Sequence, residues 1–348
     1  MNFFEAIYQE LIGYLRIGQL LKMMRTDDYT WLGTFEGIIA LLSPLLTVVF
    51  IWEIVLAIRK KTFHRKNYWP QFLSYVFNRS FSYVIVLTSY PVWVGKFDHL
   101  RPFESSVTWY WFIYGFLVFD LALYVLHWLM HKVRLLWCIH SQHHATEFMN
   151  SSVNRTNFFA NAIYLSFFKS LICMLLGVNP TIFFIMLAVD GLWVHFSHVS
   201  EDVLKNGRLG FLNYFMLTPS LHRVHHGRNP LYIDTNYSNL FSFWDRVFGT
   251  FQHEDPHERI EYGITRPVNF DSFIDFYFGE FILLWRDVKA APTLRDKLLY
   301  LVMPPGWKHT GPYKLADDIR NEYLQQKKRA GSAPGGIHVG PGGKLVNL

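Results

Sequence analysis

Residues 107–126 read VTWYWFIYGFLVFDLALYVL, an apolar run broken by one charge, Asp120. A helix needs about 20 such residues to cross a bilayer, and an acid at that depth is a functional hypothesis by default. Composition points the same way: 51% of the chain is hydrophobic, 18% aromatic and 17% charged, against about 25% charged in soluble domains. Thirty-two Phe, 19 Tyr and 12 Trp are too many for one water-facing core of this size. That excludes a disordered chain, a coiled coil and an ordinary soluble domain. Two cysteines, Cys138 and Cys173, exclude a disulfide scaffold and a cysteine-built zinc site.

Residues 31–58 supply another span, with Glu36 and Glu53 as its only charges, and Arg59, Lys60, Lys61, Arg65 and Lys66 follow at once. Basic residues clustered beside an apolar run point to a membrane surface rather than to nucleic acid, and they make this loop cytoplasmic. The stretch 68–95 is read as a second span interrupted by Asn78 and Arg79; 158–176 and 181–197 meet at Asn179-Pro180. That joint is either a short outside loop or the bend of a re-entrant hairpin. Residues 1–30 read as an interfacial helix without the order of a signal peptide, and 271–326 as membrane-surface helices. Residues 327–348 read as a Gly/Pro-rich flexible tail. First spans over 31–106 and a core over 107–270 complete the division. The expected fold is an all-α, multi-pass integral membrane bundle of about four to five spans with a cytosol-facing, histidine-rich di-metal cap.

Counted from the basic loop, the cytoplasmic ends of the third and fifth spans carry His127/His131 and His195/His198. The loops after them carry His140, His143, His144, His222, His225 and His226. Ten of 16 histidines thus fall on one side of the bilayer, although histidine played no part in the counting. They form HxxxH (127–131), HxxHH (140–144) and HxxHH (222–226). Helical residues four apart lie about 5–6 Å apart at Cβ and face one way, so each motif aims two imidazoles at a common point and each doublet adds a third. Imidazole suits Fe, Zn, Cu and Ni; eight to ten nitrogens are too many for one ion and suit two. His195 and His198 are either further ligands or interfacial anchors. His64, His99, His253, His257, His309 and His338 read as ordinary hydrogen-bonded residues.

Asp120, Tyr124, His127 and His131 share one helix face. Asp120 therefore either holds a ligand imidazole or its neighbour, or bonds a neighbouring helix. Glu147 and Asn150 either accept ring N–H groups or cap a following helix.

The order HxxxH, HxxHH, HxxHH resembles the fatty acid hydroxylase/sterol desaturase superfamily of membrane di-iron oxygenases. The stretch 218–251 (TPSLHRVHHGRNPLYIDTNYSNLFSFWDRVFGTF), YGITRPVN at 262–269 and Pro305-Gly306-Trp307 look most like its alkylglycerol monooxygenase branch. The resemblance covers roughly 70–310. It implies two irons under His127, His131, His140, His143, His144, His222, His225 and His226, with His195 and His198 matching an extra pair found in some members. It further implies O2-dependent hydroxylation of a membrane lipid, ether-lipid cleavage in the alkylglycerol branch, or desaturation. The reductant is external, tetrahydrobiopterin or a cytochrome b5- or ferredoxin-type donor. The chain departs from that branch at Lys132, where an acid follows HxxxH, and in lacking that branch's further C-terminal membrane segments. The expected location is the endoplasmic reticulum or the bacterial inner membrane.

Two other classes compete. An intramembrane zinc hydrolase would use histidine clusters too, but HWLMH has no internal Glu to act as base. A haem-binding electron carrier could use the 13-residue spacing of His127/His140 and His131/His144, yet it leaves the doublets idle. No haem-attachment motif, HPGG signature or strand-associated GxGxxG is present.

Overall fold

The computed structural model describes residues 48–63 and 65–331, together with Arg25 and the strand residues 338–339 and 345–346. The expected N-terminal interfacial helix, the first half of the 31–58 span and most of the tail lie outside the described residues. The described part is helical: apart from the two-residue strands His338–Val339 and Leu345–Val346, it contains only isolated β-bridges.

A helix over 48–59 is followed by α1 (Arg65–Arg79), α2 (Ser82–Leu87) and α3 (Tyr90–Phe97). The stretch read as a second span is therefore three short helices, none long enough to cross alone. Asn78 turns its side chain to Asn157 O at 2.7 Å, and Pro91 in the first turn of α3 fixes a new helix start after Ser89.

Among the described residues, two helices are long and apolar enough to cross a membrane: α4 (Trp109–Lys132) and α7 (Pro180–Ser197). Between them lie α5 (Arg134–His144) and the shorter apolar α6 (Phe159–Leu175). The 24 residues of α4 run about 36 Å, longer than the roughly 30 Å hydrocarbon core. Its histidine-bearing end carries Lys132. Asn179 starts α7 by accepting the Thr181 N–H at 2.9 Å while its amide donates to Ser105 O at 2.7 Å, so the joint is a capped turn. The bundle core joins Phe119, Ala122 and Leu123 of α4 to Cys173 and Met174 of α6 and to Ile182, Phe183 and Met186 of α7. Gly115 permits the approach of α4 to α7, since a Cβ there would stand 2.7 Å from Ile182 Cγ2. Trp111, Phe112 and Phe116 pack against this core, whereas Trp109 and Tyr110 are exposed.

Beyond the bundle come α8 (Pro219–His225), α9 (Phe243–Val247), α10 (Phe273–Ala290), α11 (Leu294–Val302) and α12 (Ala316–Gly331). Helix α10 is amphipathic: it buries Phe276, Tyr277, Glu280 and Leu284 and exposes Ile274 and Trp285. Gln142 of α5 donates to Tyr277 O at 2.7 Å, which fixes α5 on α10. Helix α12 continues to Gly331, past the Lys327 boundary expected for the tail.

Candidate metal centre

Nine of the ten clustered histidines converge, and they do so as two adjoining groups. His127, His131, His140, His144 and His225 form a five-histidine group; His143, His198, His222 and His226 form a four-histidine group. Within each, one nitrogen per ring lies within 4.8 Å of all the others. Every ring is buried.

Helix geometry produces this partition. Each residue advances about 100° around the axis, so positions i and i+4 nearly eclipse while adjacent residues diverge. His140 and His144 accordingly join the five-histidine group and His143 the other; His222 and His226 join the four-histidine group and His225 the first. The two HxxHH motifs thus have reciprocal roles. His127/His131 at the end of α4 and His198, which caps α7, complete the sets. The groups touch: the His144 and His226 rings stack at 4.3 Å and the His140 and His143 centroids are 5.2 Å apart.

Backbone carbonyls fix the ring tautomers. Nδ1 of His127 donates to Tyr237 O at 2.8 Å, of His143 to Val153 O at 3.0 Å, of His198 to Val194 O at 2.6 Å and of His225 to Thr235 O at 2.8 Å. A carbonyl can only accept, so each of these rings carries its proton on Nδ1 and presents a bare Nε2. The bare Nε2 atoms of His143 and His198 then face each other at 3.2 Å, and two lone pairs so placed repel unless a cation lies between them. In the other group Nε2 of His131, His144 and His225 is buried with no hydrogen-bond partner, a cost that a bound cation removes. The residues present therefore fit metal ions.

Burial, followed in most by the mutual influence of neighbouring imidazoles, holds His140, His144, His198, His222, His225 and His226 well below the usual imidazole range. Burial likewise brings His143 down to about 4. These seven rings are thus held in the neutral form, the one that ligates.

Several positioning groups had no obvious signal in the sequence. Asp234 accepts from His131 Nδ1 at 3.2 Å and from Lys132 Nζ at 2.9 Å. Burial pushes its carboxyl up, but the His131 contact and the Lys132 charge outweigh this and leave it below its ordinary value. Asp234 and Asn236 both have φ of 56°, a region that Asp and Asn tolerate best after Gly. This tight turn aims the Thr235 carbonyl at His225. Asp245 accepts the Tyr237 and Ser238 N–H groups at 2.7 and 3.1 Å. Glu53 is buried and accepts the backbone N–H of Ser151 at 2.9 Å and of Ser200 at 2.7 Å. It ties together the loops that flank His143 and His198. The available signals were a carboxylate inside an apolar run, for Glu53, and small polar residues interleaved with aromatics after the last HxxHH.

The other expected site residues lie elsewhere. His195 belongs to neither group; its Nδ1 is 2.8 Å from Gly191 O and 3.0 Å from Asn154 Nδ2. Asp120 accepts the N–H groups of Leu240 and Phe241, each at 3.2 Å. It therefore holds the segment that carries the Tyr237 carbonyl rather than an imidazole. Glu147 pairs with Arg228 at 3.4 Å, and Asn150 donates to Tyr68 Oη at 3.2 Å and accepts from Ser152 N at 3.0 Å.

Buried, doubled histidine motifs at the end of an apolar helix make a paired metal-ligand set, and comparison with known proteins shows what the chain is similar to. Residues 112–250 match the fatty acid hydroxylase family, and this stretch contains all nine converging histidines. Among curated relatives, alkylglycerol monooxygenase of Homo sapiens is 34% identical over 66% of this chain and 49% of its own length, and that of Xenopus tropicalis 34% over 61% and 45%. Ornithine lipid hydroxylase of Rhizobium tropici is 28% identical over 45% of this chain and 46% of its own. The chain thus spans about half the length of the curated relatives it matches. No solved structure matches it. The resemblance to the superfamily and to its alkylglycerol monooxygenase members is borne out.

Proposed function

We propose that this chain is a membrane-bound, O2-dependent lipid monooxygenase that holds two irons, one in each histidine group. The observation that carries this reading is the pair of touching, buried imidazole sets, in one of which the bare Nε2 atoms of His143 and His198 face each other at 3.2 Å. The reaction is R–H + O2 + 2e⁻ + 2H⁺ → R–OH + H2O, and the ions, when bound, supply the redox chemistry that activates dioxygen. The protein holds the ring nitrogens in place through carbonyls, excludes bulk water by burial, and uses neutral ligands that cost little desolvation beside a membrane. His127, His131, His140, His144 and His225 serve one ion; His143, His198, His222 and His226 serve the other. His195, Glu147 and Asn150 contribute from outside the ligand sets, and Asp120 positions the 237–241 segment.

The substrate is a lipid alkyl chain, and ether-lipid cleavage of the kind named in the alkylglycerol monooxygenases is one version of the reaction. Sterol or fatty-acid desaturation by the same centre is the alternative. Electrons come from a separate donor, tetrahydrobiopterin or a cytochrome b5- or ferredoxin-type partner. The chain crosses the membrane four to five times, in the endoplasmic reticulum or the bacterial inner membrane, with the histidines in the cytoplasm and the catalytic core over 107–270. Lys60 of the basic loop pairs with Asp202, just past His198, at 2.8 Å. This contact supports a common side for the basic loop and the histidine cap.

The test combines metal analysis of the purified chain with mass spectrometry of lipids from cells with and without the gene under oxygen-18. Two irons per chain and a labelled lipid alcohol or aldehyde are expected. One zinc and no iron would instead favour a hydrolase.

A further inference from the structure

The five-histidine group is not sealed. A cavity of about 140 Å³ reaches the rings of His131, His144 and His225, whereas no ring of the four-histidine group lines it. The cavity lies beyond the Lys132 end of α4, on the far side of the group from the bundle core, and is roofed by Ala316, Asp317 and Ile319 of α12. Its volume is comparable with the roughly 150 Å³ cavity that accommodates benzene, so a ring-sized guest fits. Its walls are mixed. Trp137 offers a flat face, its indole 5.2 Å from the His131 ring and 5.6 Å from the His144 ring. Lys132, Asp234 and Arg228 supply charged donors and acceptors. An alkyl chain seated here would desolvate those groups without replacing their hydrogen bonds; a small polar molecule would not.

We propose that this cavity is the aqueous port of the five-histidine group and seats a small, water-soluble, hydrogen-bonding co-reactant against His131, His144 and His225. The inference rests on the reading that this group holds a metal. It separates the two reactants: the lipid approaches from the membrane side and the polar partner from beneath α12. A donor DH2 that leaves as D balances the reaction, R–H + O2 + DH2 → R–OH + H2O + D. The roof is held by polar contacts, Lys132 to Asp317 at 2.9 Å, Tyr323 to Glu258 at 2.6 Å and Lys327 to Asp255 at 2.7 Å, and farther along α12 by packing of Tyr323 and Leu324 against Val224, Leu231, Tyr232 and Ile260.

The test uses the full chain, iron-loaded and oxidised in detergent, with azide as the probe and its ligand-to-metal absorption band as the readout. Ala316→Trp fills the space under the roof and is expected to slow band formation about tenfold at unchanged iron content, whereas Asp317→Ala releases the roof and speeds it about threefold. Azide reaching Ala316→Trp as fast as the parent would overturn the proposal and leave the donor to a protein that docks outside. Should Ala316→Trp fail to fold, an unchanged rate in Asp317→Ala overturns it equally. A parent chain that holds no iron would refute the metal reading itself, an outcome distinct from both.

Discussion

The two histidine groups share their chemistry but differ in their surroundings. The five-histidine group has a carboxylate, Asp234, on one of its rings and a cavity running beneath α12. In the four-histidine group, His143 and His198 are held by carbonyls, and the flanking loops hang on buried Glu53. Each group has two rings held by carbonyls, but only the five-histidine group lines this cavity and has a carboxylate on one of its rings. If both hold iron, the five-histidine ion is the one positioned to exchange ligands, and the four-histidine ion the one whose loss would cost most structure.

The sharpest break of this comparison is ligand deletion. His198→Ala leaves three rings in the smaller group and should lower iron from two per chain to one, with activity down by more than about 100-fold; His131→Ala leaves four rings and should retain more iron. Equal losses in the two variants would erase the distinction. Next in size is Asp234→Asn, which removes the charge that orients His131. Activity should fall about 10- to 100-fold, with the five-histidine ion's spectrum altered and total iron little changed. A water-soluble chelator should then extract metal in two phases, the first removing one ion per chain about tenfold faster; a single phase would contradict the assignment of the cavity to one group. The smallest effect is that of Glu53→Gln. It trades an acceptor of two backbone N–H groups for an amide and should cost about 1–3 kcal/mol of stability, read as a lower unfolding midpoint.

Much of this arrangement was legible in the sequence because helix periodicity is local. The i,i+4 pairs 127/131, 140/144 and 222/226 each enter one group together, as their spacing predicts. Features that depend on chain paths across the fold were not legible. His195 is three residues from His198, about 60° around the axis, and its ring turns to Asn154. Asp120 shares the buried face of His127 and His131 but lies two turns from His127, beside a segment some 120 residues later in the chain. Asp234 meets His131 through a left-handed turn that no periodic pattern announces. The stretch 68–95 looked continuous by hydropathy, but Asn78 and Pro91 break it into separate helices.

The crossed allegiance of the two HxxHH motifs carries one last consequence. Because neighbouring histidines serve opposite groups, the spacing between the two centres is set by covalent geometry along α5 and α8. The intervening residues have contacts of their own, such as Gln142 to Tyr277 O, but they do not set this spacing. Inserting or deleting a single residue between His140 and His143, however, would rotate the doublet by about 100° and hand each ring to the wrong neighbour. Variation at this centre should therefore run through substitution and almost never through a change in motif length.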